Sequence, residues 1–86
     1  MDKEQIKQNF IEKLKADNFL FEVNYGNGEI NQIKIKDAAI ITIDFERDSS
    51  QRLFVSQLGY KNSTQFKAIL EVFERVSELL EDLEKE

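Results

Sequence analysis

Eighty-six residues, 41% of them hydrophobic and seven of them Phe, hold enough apolar material for one core and not two, so the chain reads as a single domain, 1–86. It contains no Cys and no His, which removes disulfides, thiolate and imidazole catalysis and the commonest zinc ligands together. A net charge of −5 argues against nucleic acid or an anionic membrane as a direct ligand, and no apolar run approaches the ~18–20 residues that span a bilayer.

The first element is a helix over about 2–16. Asp2 followed by Gln5 resembles a capping box, and Ile6, Phe10, Ile11 and Leu14 fall at helical spacing. That spacing leaves Lys3, Lys7, Glu12, Lys13 and Lys15 to solvent. Asp17-Asn18 ends the pattern. From 19 to 25 the period becomes two, with Phe19, Phe21, Val23 and Tyr25 on one face, hence a strand. Gly26-Asn27-Gly28 supplies the positive φ values of a tight hairpin. A plain two-residue loop would set Phe21 against Lys34 and mix the faces. One extra residue sets Val23 against Ile33 and Phe21 against Ile35, which predicts a bulged or three-residue turn around Asn27-Gly28-Glu29.

Further strands follow over about 30–36, 39–46 and 52–58, with Ala39, Ile41, Ile43 and Phe45 on one face of the third and a turn at Asp48-Ser49-Ser50. The connections are short, so the four strands form an antiparallel meander. Asn62 with Gln65 opens a second helix over about 63–84, whose apolar residues include Phe66, Ile69, Phe73, Val76, Leu80 and Leu83, widened by Leu70, Val72 and Leu79. The fold class is α+β, in the order α-β-β-β-β-α, with the C-terminal helix packed on the sheet.

Length and charge make that last helix the candidate contact element. Twenty-two helical residues span about 33 Å, against about 20–23 Å for a six- or seven-residue strand. The helix therefore outruns the sheet, and Leu79, Leu80 and Leu83 lack a partner within the chain unless helix 1 covers them. Together with Phe73 and Val76 they are the expected centre of a homodimer interface. Residues 71–86 also hold seven acids against two bases, so this stretch carries the entire net charge. Glu71, Glu74, Glu78, Glu81 and Asp82 form an acidic face suited to a basic protein surface. Glu74–Glu78 and Glu78–Asp82 are like-charge pairs four residues apart, and acids crowd the end where the helix dipole disfavours them.

Other chemistry finds little support in the sequence. Ser49, Ser50, Ser56 and Ser63 have no evident activating base. Asp44, Glu46 and Glu22 are the one carboxylate set able to hold Mg²⁺, if they converge. Residues 44–55 fail as a calcium loop, with Ser49 at the sixth position and Val55 at the twelfth. Gly26-Asn27-Gly28 lacks the following helix and the Lys of a phosphate loop. Lys34, Lys36, Arg47, Arg52, Lys61 and Lys67, with Tyr25, Phe54 and Tyr60, are the only material for a basic, stacking face.

The expected protein is thus non-catalytic, without cofactor or metal. It is an acidic protein-interaction domain that is homo-oligomeric through its C-terminal helix. The alternative is a phage-type acidic inhibitor that mimics DNA and blocks a nucleic-acid-binding enzyme. The absent Cys and a charged N-terminus unlike a signal peptide favour a reducing cytoplasm. The bias towards Ile, Lys and Asn matches AT-rich genomes and their phages.

Overall fold

The computed structural model describes residues 2–36, 39–46 and 51–85. The chain runs helix, four antiparallel strands, helix: α1 (Lys3–Ala16), β1 (Phe21–Gly26), β2 (Glu29–Ile35), β3 (Ala39–Asp44), β4 (Leu53–Leu58) and α2 (Ser63–Glu84). This is the α+β order expected, with element ends shifted by no more than two residues. Arg47 and the Asp48-Ser49-Ser50 turn lie outside the described residues. Two compact units are distinguished, a sheet unit over Phe19–Gly59 and a helical unit over Met1–Asn18 and Tyr60–Glu86.

In the sheet unit the strands lie in the order β1-β2-β3-β4, each antiparallel to its neighbours. The expected pairs Phe21–Ile35 and Val23–Ile33 are present, but the extra residue sits elsewhere than in the turn. The turn itself has two residues, Asn27 and Gly28, with φ of 55° and 80°, the pair of positive values that matches strand twist. Register instead slips one step further on, where Asn24 faces Gln32 while Tyr25 faces Ile30. Asn31 is thus a bulge in β2, and its carbonyl accepts from Phe45 N–H at 2.8 Å. The bulge preserves the two-residue turn and still returns Ile30 to the buried face, where Ile33 and Ile35 also lie.

A second bulge falls in β4. Ile41 faces Val55 while Ile40 faces Gln57, so Ser56 is the unpaired residue, and Leu58 joins the face of Ala39. Strand β4 forms one edge of the sheet and stays open. Val55 is 45% exposed, whereas its cross-strand partner Ile41 is fully buried on the same face. The opposite face is exposed or half-exposed along β1 to β3 and mostly polar, with Glu22 beside Lys34, Asn24 beside Gln32, and Ile40 its apolar member on β3.

In the helical unit both caps form as read. Asp2 Oδ1 accepts from Gln5 N–H at 2.8 Å, and Asn62 Oδ1 accepts from Gln65 N–H at 3.0 Å. Gln65 Oε1 accepts in turn from Lys61 N–H at 2.7 Å, closing the second box one residue early. Helix α1 ends at Asn18, whose φ of 61° turns the chain out of the helix. Lys7 departs from the expectation that it faces solvent, since it is only 2% exposed. It follows Ile6 and shares its arc with Ile11 and Leu14, so its aliphatic stem lies in the apolar stripe. Its ammonium meets Glu4, one turn back, at 3.3 Å.

The contrast between Ile41 and Val55 gives a stability prediction. Ile41→Ala should cost about 3 kcal/mol in urea unfolding, as buried aliphatic truncations do. Val55→Ala, across the same ladder, should cost less than about 1 kcal/mol. Equal losses at the two positions would show that β4 is covered in solution.

Candidate functional site

Helix α2 carries nine large apolar residues from Phe66 to Leu83, spread over about 180° of its circumference at 3.6 residues per turn. They divide into two seams. Ile69, Val72, Val76, Leu79 and Leu83, spaced 3,4,3,4, are the buried set. Helix α1 lies against this side. Ile6 and Phe10 share a narrow crevice with Leu79, and the ion pairs Lys13–Glu78 and Asp17–Arg75 run in opposite order along the two helices, so α1 and α2 are antiparallel.

Val76, Leu79 and Leu83 are 2%, 3% and 7% exposed, and so are already covered within a single chain. That is the condition under which the sequence left these leucines no role in association. Phe73 and Leu80, the other two expected interface residues, are half-buried. They belong to the second seam, which runs Phe66, Leu70, Phe73, Ser77, Leu80 at spacing 4,3,4,3. Phe66 is 42% and Leu70 49% exposed. The exposed ring of Tyr60 leans on Phe66, with centroids 4.9 Å apart and planes inclined at 54°. Sequence reading mixed the two seams, because 66, 69, 73, 76, 80 and 83 also follow a three-four alternation. The signal that separates them is width: nine apolar residues exceed one stripe.

Beside the open seam lies the acidic arc. Glu71, Glu74, Glu78, Glu81 and Asp82 are all exposed. Glu78 is the compensated one, with Lys13 Nζ at 3.3 Å and Arg75 Nη1 at 3.7 Å. The middle member of both like-charge pairs is therefore met by a cation from α1. Arg75 donates to Asp17 at 2.8 Å and 3.4 Å, and this pairing, helped by Glu78 and Glu74, raises its affinity for the proton further. Glu71, Glu74, Glu81 and Asp82 have no ion-pair partner among the described residues.

The other candidate chemistries are dispersed. Glu22 stands on β1 and Asp44 on β3, with β2 between them, and Asp44 Oδ1 accepts from Glu46 N–H at 2.9 Å. Among the described residues, no three acidic side chains gather where a metal could be held. Lys36 is committed to Glu22, and Lys34 faces Glu22 across the ladder, so these two lysines of the candidate basic face are interleaved with acid; Arg47 lies outside the described residues. Gly26-Asn27-Gly28 serves the hairpin. No described helix is long and apolar enough to cross a membrane. Comparison with protein-family models, curated proteins and solved structures finds no match for this chain.

Glu22 offers a pH test of the sheet's polar face. The hydrogen bond from Lys36, then the charge of Lys36, holds its carboxyl below the ordinary carboxylate range. A depressed folded value means the contribution to stability is present above the unfolded carboxylate value and is lost as pH falls through the folded one. Lys36→Gln should move the Glu22 side-chain titration, followed by NMR, up towards the ordinary value. An unchanged midpoint would show that the pair does not persist in solution.

Proposed function

We propose that this chain is a small, acidic, non-catalytic protein-interaction domain whose contact element is α2. The observation that carries this reading is that α2 is fixed along one side by α1 and by its own buried seam, yet presents two further faces to solvent. One is the seam of Phe66, Leu70, Phe73 and Leu80, and the other is the arc of Glu71, Glu74, Glu78, Glu81 and Asp82. A capped helix held by packing presents its side chains at low conformational cost, which suits a recognition surface.

A second reading, the acidic inhibitor that stands in for DNA in a basic groove, draws on one specific feature. Four of the five acids make no ion pair among the described residues, which leaves their carboxylates open to a partner's cations. Rigid carboxylates spaced along a helix can occupy sites built for phosphate, provided Lys and Arg line the groove.

Both readings are tested by charge reversal on the arc. With wild type and Glu74→Lys/Glu81→Lys as paired baits in extracts of the native host, a protein retained by the first and lost from the second is expected. Its retention should fall steeply when salt is raised about tenfold, as screening requires. The same proteins on both baits, at either salt, would remove the acidic arc from the contact.

A further inference from the structure

We infer that the open seam of α2 is self-complementary and that two copies of this chain associate through it, with the two α2 helices antiparallel. The inference rests on the reading of α2 as the contact element and names the partner of its apolar side. The seam's own period selects the kind of occupant. Phe66, Leu70, Phe73, Ser77 and Leu80 at 4,3,4,3 spacing is the pattern by which one helix seats side chains between those of another.

Charge and size then select the orientation. Lys67 lies at the N-terminal end of the seam's outer edge, and Glu74 and Glu81 lie further along the same edge. Parallel self-pairing lays this edge of one helix beside the opposite edge of the other, where Ile69, Val76 and Leu83 are already buried and no acid meets Lys67. Antiparallel pairing centred on Phe73 brings the same edge of both helices together, carrying Lys67 of each chain towards Glu81 of the other at the two ends, with Glu74 near its own copy between them. It also sets Phe66 beside Leu80, and Leu70 beside Ser77, the one seam position with a small side chain. Large thus meets small on both sides of a Phe73–Phe73 centre. With α1 behind each α2, the product is a four-helix arrangement. The seam from 66 to 80 is about 21 Å long, so the contact belongs among small interfaces.

Sedimentation of the full chain from about 5 to about 500 μM follows the mass-action shift. The mass should rise from 10.1 kDa towards twice that value. Leu70→Glu, at a position half exposed in the single chain, should keep the helical content and weaken association at least about tenfold. Leu58→Glu on the open edge strand should leave association unchanged. Because the chain has no Cys, oxidising a mixture of Leu70→Cys and Ser77→Cys chains reads orientation directly. Antiparallel pairing gives the mixed 70–77 disulfide, and a predominance of 70–70 and 77–77 products overturns it. A wild type monomeric at the top concentration overturns self-association while leaving the acidic arc free to bind another protein. A dimer that survives Leu70→Glu and is broken by Leu58→Glu overturns the seam, and with it α2 as the contact element.

Discussion

A helix with apolar side chains over half its circumference has to be met from two directions, or part of that surface remains in water. Helix α2 is such a helix, and only one of its two seams is covered in a single chain. Ile69, Val72, Val76, Leu79 and Leu83 are buried, with Ile6 and Phe10 of α1 meeting Leu79 on that side. Phe66, Leu70, Phe73 and Leu80 follow an equally regular spacing about a quarter-turn away and are left open or half open. The stability of the helical unit and the surface left for a partner follow from the same excess.

Electrostatics reinforces this division. Helix α1 carries four lysines against two glutamates, and α2 carries six acids against two bases. Laid antiparallel, the two place Lys13 at Glu78 and Asp17 at Arg75, so cations of one helix meet anions of the other at two heights. Surface pairs of this kind contribute little individually, about 0–1 kcal/mol. Their effect is to select the pairing and its direction. They also meet only the middle of the acidic run directly, and Glu71, Glu74, Glu81 and Asp82 make no ion pair among the described residues.

Much of this fold is legible from residue order, because short-range signals decide it. Asp2 and Asn62 cap helices, Asn27-Gly28 turns a hairpin, and alternation in 21–25 and 39–45 sets strand faces. The demand that Val23 face Ile33 is also readable, since a slip would bury Lys34. Where the compensating residue goes is a different matter. A turn of three residues and a bulge at Asn31 satisfy that demand equally, and the preference of Asn-Gly for a two-residue turn decides for the bulge. The bulge at Ser56 has no such signal, and it moves Leu58 from one face to the other. Lys7 is misjudged by polarity alone, because its long stem buries readily when its ammonium reaches Glu4. At the candidate site, the acidic arc is exposed as read. The leucines divide between core and surface because spacing alone cannot rank two interleaved seams.

The apolar seam and the acidic arc sit side by side on α2, so their responses to salt are linked and opposite in sign. Two copies brought together along the seam bring net charges of −5 into proximity, and mobile ions relieve that repulsion. The proposed self-association through Phe66, Leu70, Phe73 and Leu80 would therefore strengthen as salt rises, aided by the apolar nature of the contact. The proposed attachment of Glu71, Glu74, Glu81 and Asp82 to a basic surface would weaken over the same range, because the attraction itself is screened. The two faces also share an edge at Glu74 and Glu81, where an antiparallel neighbour supplies Lys67. A second copy on the seam thus competes for part of the charge that a basic partner would use. On the two proposed readings, low salt would favour the basic partner and high salt the dimer, and α2 would be a single element whose two faces serve under opposite conditions.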